Sequence, residues 1–329
     1  MRNFVFQQLY ERGLIGEETL QNILSADKDK YISLHVELKL LMYAGIILLT
    51  TGLGIAVYKN IDSLNHLVIV CSIAVATFGC FAFCYVKSPG FSTQKIAETN
   101  VFKDYVLLAG CLLLLILTAY LQFQYNLFGE RYGLATFVPM VILFVCAYYF
   151  DHLGVLSMAV TNLAAWAGIS VTPLKFLRSN DFNNSTLIYT AIALGFSLLF
   201  VSFLSQKNNV KSHFGFTYKN FGVHILLIAA VAAIIHFKAY ELLWLVFLSA
   251  ICFWQFSVAL REKSFYFFVI VFLYFYFGCS YVIIHQLFLL SMSDGLLYIA
   301  FLYFIVTAVL SGNLLMKYNK KMKENDHLQ

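Results

Sequence analysis

Ten stretches of this chain contain no Asp, Glu, Lys or Arg: residues 40–58, 63–86, 105–129, 132–150, 152–174, 182–206, 220–237, 242–260, 264–293 and 295–316. A helix that crosses the hydrocarbon of a bilayer needs about 20 mainly apolar residues, and each stretch supplies close to that or more. Sixty-one per cent of the residues are hydrophobic and 12 % are charged, whereas soluble chains carry about a quarter charged residues. The excess of apolar side chains is spread over the whole length, so one anchor on a soluble domain does not account for it. Backbone amides in lipid must be satisfied within the chain, which makes each crossing helical. The expected fold is therefore all-α, a polytopic membrane bundle of about ten transmembrane helices. A head at residues 1–37 precedes a membrane domain at 38–316, and a basic tail occupies 317–329. Pro139 is expected to kink the fourth crossing or to sit near its start. The stretch 264–293 exceeds one simple crossing, so its helix is placed at about 264–284, with "HQLFLLSMS" (285–293) as a partly embedded connection.

The 22 Lys and Arg residues give the orientation. With a cytoplasmic N-terminus and ten crossings, 17 of them lie in cytoplasmic segments and five, Lys59, Arg131, Lys175, Arg178 and Lys238, lie outside. That asymmetry is what the positive-inside rule requires, and it puts both termini in the cytoplasm. The net charge of +5 is read as a topology signal, and nucleic acid is not an expected partner. The polar, mixed-charge N-terminus shows no cleavable signal peptide.

The head reads as a helical hairpin. Phe6, Leu9 and Tyr10 form one apolar face, Gly13 suits a helix end, and Glu17 and Glu18 open a second helix at its positive end. "ERGLIGEETLQNIL" is followed, about twenty residues on, by "AGIILLTTGLGIAVYKNID". Together these segments resemble the DUF2157 family of bacterial membrane proteins, with Gly13, Leu14, Ile15 and Glu18 matching its turn and Gly45, Gly52, Gly54 and Asn60 its first helix. Ile61 stands where the family has an aromatic residue. The resemblance spans residues 9 to about 90. It implies a multi-pass protein of the bacterial inner (cytoplasmic) membrane and carries no catalytic residues with it.

Motifs with a mechanism are absent from the sequence: there is no phosphate loop, no H-E-x-x-H and no G-x-S-x-G. Gly45, Gly52 and Gly54 lie in an apolar helix, where small residues allow another helix to approach. The seven cysteines all fall in apolar stretches and read as packing residues, although Cys80 and Cys84 share a helix face that could hold a soft metal. No metal, cofactor or catalytic group is expected. The apolar-run histidines lie mostly near crossing ends, and His224 and His236 sit near opposite surfaces. No acidic or basic residue lies mid-crossing, and Glu241 and Lys238 read as water-reachable turn charges. That absence weakens a proton-coupled carrier.

Neutral polar residues at depth remain: Asn162 with Trp166 one turn on, Gln255 beside Trp254, and Thr50 with Thr51. One reading makes them interhelical bonds that lock the bundle; the other makes Asn162, Trp166, Gln255 and Trp254 the lining of a substrate cavity. The function expected is a non-enzymatic accessory or scaffold protein, with the lipid bilayer and a membrane-protein partner or second copy as its partners. The alternative is a small-molecule transporter of drug/metabolite-transporter-like format.

Overall fold

The structure is a computed structural model that describes residues 16–19, 34–59, 66–96, 101–129, 131–171, 184–290 and 295–324. Apart from residues 16–19, of which 17–19 are helical, the expected head hairpin up to residue 33 lies outside the described residues. No strand occurs among them. Ten helices follow one another: α1 Leu34–Lys59, α2 His66–Val86, α3 Val101–Tyr125, α4 Tyr132–Phe150, α5 Leu153–Val171, α6 Ser185–Lys207, α7 Phe214–His236, α8 Glu241–Arg261, α9 Phe265–Leu290 and α10 Gly295–Glu324. A single 3-10 turn, Lys238–Tyr240, joins α7 to α8. Nine of the ten, α2 to α10, are long and apolar enough to cross a membrane; α1 spans 26 residues around the apolar stretch Leu40–Gly52. The protein is a polytopic helical membrane bundle. The tail is helical as far as Glu324, continuing α10 without a break.

The chain divides into two units, residues 1–65 and 66–329. In the first, α1 satisfies its own mid-helix hydroxyl: Thr50 Oγ1 donates to the carbonyls of Ile46 (2.8 Å) and Ile47 (3.0 Å). Among the described residues, a Cβ built on Gly45, Gly52 or Gly54 meets no atom within 4 Å.

In the second unit α7 is the central helix. It packs on α5, α6, α8 and α9 and contributes to both apolar cores. Val223, Leu226, Leu227 and Ile234 join one formed with α8 and α9; Phe214 and Tyr218 join the other, formed with α2 to α6. Its sequence explains the position. Gly215, Gly222, Ala229, Ala230, Ala232 and Ala233 keep its surface small, and lipid-embedded helices associate through close packing because apolar burial gives no drive between them. The periphery is lined instead by large apolar side chains such as Val75, Phe78, Phe123, Phe253 and Tyr298, all exposed, as a lipid-facing belt requires.

One end of the bundle is tied by a buried ion cluster. Asp151 stops α4 in the left-handed conformation (φ 59°), and two residues later α5 begins, with the Val155 amide donating to His152 Nδ1 at 3.1 Å. The Asp151 carboxylate accepts from Lys211 Nζ at 2.7 Å, from the Ile96 amide at 2.7 Å, and pairs with His213 Nε2 at 2.8 Å. The Lys211 side chain is 0 % exposed and that of Asp151 3 %. The Lys211 amide donates to the Thr93 carbonyl at 2.8 Å, and its ammonium lies 5.7 Å from the Phe91 and Phe214 ring centres. Burial by itself would raise the Asp151 carboxyl pKa; Lys211, the Ile96 amide and His213 outweigh it and hold the group below the ordinary carboxylate range. Through these bonds the α2–α3, α4–α5 and α6–α7 connections meet on one face. An ion pair between Lys219 and Glu262, with the Lys219 ammonium 4.6 Å from the Phe267 ring centre, adds the α8–α9 connection.

At the opposite end two expectations are corrected. Glu241 is not a water-reachable turn charge. It is 4 % exposed and accepts from the Gln286 amide nitrogen, and its other oxygen lies 2.8 Å from His285 Nδ1. That contact also accounts for the second correction: α9 does not stop near 284 but runs to Leu290, because His285 and Gln286 are held on Glu241 in helical conformation. Replacing Glu241 by Ala should leave two half-buried partners unpaired and cost about 1–3 kcal/mol of stability, whereas Glu241→Gln should lose less. Thermal unfolding in detergent of the two variants checks this ordering.

Candidate functional site

Three helices enclose a polar crevice. On α3, Thr118 and Gln122 lie one turn apart on one face, Asn126 follows four residues on, just past the helix end, and all three line a cavity of about 800 Å³. Leu115 and Phe123 give it apolar wall; α4 adds Tyr132, Ala135, Thr136 and Pro139, and α5 adds Asn162 and Ile169. Pro139 lies inside α4, as its eighth residue. Having no N–H, it withholds the helical hydrogen bond that the Ala135 carbonyl would otherwise accept, and both residues border the cavity. A polar backbone group is thereby released at a wall of the site.

Gln122 builds the mouth. Its Nε2 donates to Asn126 Oδ1 (3.0 Å) and to the Gly129 carbonyl (3.1 Å), and its Oε1 accepts from the Phe128 amide (3.0 Å). The α3–α4 turn closes tightly on it, with Asn126 (φ 48°) and Gly129 (φ 59°) both left-handed. Deeper in, Thr118 Oγ1 donates to the Leu114 carbonyl at 3.0 Å and Thr136 Oγ1 to the Gly133 carbonyl at 3.0 Å. Their oxygen lone pairs are left as acceptors. Asn162 Nδ2 makes one long bond, 3.4 Å, to the Met158 carbonyl, which leaves the rest of its amide to the cavity. Among the described residues, no charged side chain lines the space. Its described polar groups are hydroxyls and carboxamides, the donors and acceptors with which a neutral polar molecule can hydrogen-bond.

Of the four cavity-lining candidates named from sequence, Asn162 alone borders this space. Trp166, one turn further along α5, turns to Phe137, with ring centres 5.4 Å apart, and to Gly133. Gln255 is 3 % exposed and Trp254 47 %; both ride on α8, which packs against α7 and α9, away from α5. The polar ladder of α3 carried the signal that sequence reasoning missed: a T-x-x-x-Q-x-x-x-N run ending a crossing.

His224 is a further correction. Helix α7 starts at Phe214, so His224 lies mid-helix and not near an end; its Nδ1 is 3.0 Å from the Tyr274 hydroxyl. The thiols of Cys84, Cys111 and Cys146 lie in one apolar core.

Comparison with known proteins gives a family similarity over somewhat less than half of the chain. Residues 7–156 match DUF2157. The family is described as predicted membrane proteins, in agreement with the helices found here. The DUF2157 match takes in α1 to α4 and the first turn of α5, and so extends well past residue 90, where the sequence resemblance was expected to end. The α3 and α4 walls of the crevice fall inside the DUF2157 region; Asn162 and Ile169 fall beyond it. No curated protein and no solved structure matches the chain.

Proposed function

We propose that this is a non-enzymatic, multi-pass protein of a bacterial inner membrane that takes a small neutral polar molecule into the α3–α5 crevice from the outer face. The observation that carries the reading is the uncharged polar lining of Thr118, Gln122, Asn126, Thr136 and Asn162 around about 800 Å³ at one end of the bundle. Counted with the helix turns that flank them, the connections on the Asp151 face hold eight of the thirteen lysines and arginines from Lys59 to Lys263, so the positive-inside rule makes that face cytoplasmic. The crevice mouth, at the α3–α4 turn, then faces outward, and both termini are cytoplasmic. In the transport reading the crevice is the outward half of a path.

An accessory or scaffold role is the second reading, favoured by α10. That helix packs on α9 and leaves Phe301, Leu302, Val309 and Leu310 exposed along its length, a surface long enough for a partner helix or a second copy.

Cysteine scanning tests the first reading. In a variant with the exposed Cys71 replaced by Ala, Asn162→Cys should react in intact cells with a water-soluble, membrane-impermeant thiol reagent, and the Trp254→Cys control should not. Equal protection of both would seal the crevice and remove the proposed site.

A further inference from the structure

A second site lies in the side of the bundle, separate from the crevice. Helices α7 and α9 leave between them a groove of about 420 Å³, whose polar residues are His224 and Tyr274. Ile228, Val231, Ile270, Leu273 and Phe277 supply the rest of the described wall, and Ile228, Leu273 and Phe277 are each more than half exposed. The groove therefore opens sideways, into lipid.

Depth sets what can occupy it. His224 is ten residues from the start of α7 and Tyr274 nine from the start of α9, which at 1.5 Å per residue puts both about 14–15 Å from the same end. The two starts are adjacent, since Phe216 lies on Tyr266 and Phe267 with ring centres 6.1 and 5.5 Å apart. That places the pair near the middle of a hydrocarbon layer about 30 Å thick. Phospholipid ester and headgroup oxygens sit at the edges of that layer, about 15 Å away, and do not reach it. A polar group facing lipid there is costly unless something bonds it.

The hydrogen count sets the chemistry. If Tyr274 donates to His224 Nδ1, the neutral ring carries its proton on Nε2, which is then a donor. If Nδ1–H donates to the hydroxyl, the Tyr274 O–H is the donor left over. Either tautomer presents one unused hydrogen, so the pair asks for an acceptor. We propose that the groove binds a membrane-dissolved molecule of quinone type: a flat ring bearing a carbonyl, on an apolar tail. The carbonyl accepts from the His224–Tyr274 pair, the ring lies against Phe277, and the tail leaves between Ile228 and Leu273.

Equilibrium dialysis of a radiolabelled decyl-1,4-benzoquinone against the purified full-length protein in detergent tests this, with decylbenzene as the carbonyl-free control. The expected result is saturable binding of one quinone per chain that decylbenzene does not displace. Removing both donors in the double variant Tyr274→Phe/His224→Phe should weaken it about five- to tenfold, while Tyr274→Phe and His224→Gln, each of which leaves an N–H at the pair, should retain most of the affinity. The double variant keeps an aromatic ring at both positions, and its thermal unfolding in detergent reads folding apart from binding. Equal competition by decylbenzene, or unchanged affinity in the folded double variant, would overturn the proposal. So would displacement by phosphatidylethanolamine with the double variant unaffected, which would make the groove ordinary lipid-contact surface.

Discussion

Asp151→Asn should be among the most damaging single substitutions in the bundle. It keeps the size of the side chain and an oxygen for the Ile96 amide, but leaves the Lys211 ammonium, 0 % exposed, without its counter-charge. Removing one partner of a buried ion pair costs about 3–5 kcal/mol, and neither Lys211 nor Asp151 is open enough to water for screening to reduce that. Asp151→Ala should cost at least as much, because the Ile96 amide loses its acceptor too. The double variant Asp151→Asn/Lys211→Met, which removes both charges, should recover much of the loss. Unfolding by SDS titration in mixed micelles checks the three values. The same pair gives a pH dependence. Because the folded carboxyl titrates below the unfolded one, its contribution is complete above the unfolded value and is lost as the pH falls through the lower folded value. Wild type should therefore weaken on acidification below the ordinary carboxylate range, and Asp151→Asn should lack that part of the profile.

Gly195→Leu should prevent α6 from seating on α7. A Cβ at residue 195 would lie 2.8 Å from the Leu226 Cβ, 2.9 Å from its amide nitrogen and 3.0 Å from its Cα. Backbone atoms cannot swing aside as a side chain can. Gly222, on the facing helix, is held as closely by Leu199 and the Gly195 carbonyl, so the two glycines form one contact. Overpacking a dense core costs about 1–3 kcal/mol and occasionally more; Gly195→Ala should fall in that range and Gly195→Leu beyond it. Gly312→Ala, where nothing lies within 4 Å, should be close to neutral. Yield of folded protein after detergent extraction, with thermal unfolding of what is recovered, ranks the three.

The crossings of α2 to α10 were legible because runs of about twenty residues without charge have no other stable solution in lipid. Their ends were less so, for a physical reason visible at Lys219. A lysine read as a boundary marks where a free charge must reach water. Lys219 is instead buried, paired with Glu262 and set over Phe267, so α7 starts five residues earlier and His224 moves to mid-depth. Glu241 misled in the same way: the residues that shelter it, His285 and Gln286, lie more than forty positions away. The Asp151–Lys211 pair spans sixty residues, and no local pattern announces it. At the crevice, Asn162 was found because amides stand out in apolar runs. Its neighbours Gln122 and Asn126 escaped notice because they end a crossing, where polar residues are ordinary.

Everything above depends on alternate connections lying on opposite sides of a bilayer, with the Asp151 face inward. Single cysteines at Gln94, in the α2–α3 connection, and at Leu127, in the α3–α4 turn, both exposed, measure this directly with an impermeant thiol reagent. Leu127→Cys should be labelled in intact cells and Gln94→Cys only once the membrane is permeabilised. Labelling of both from the same side, or the reverse order, would contradict the account.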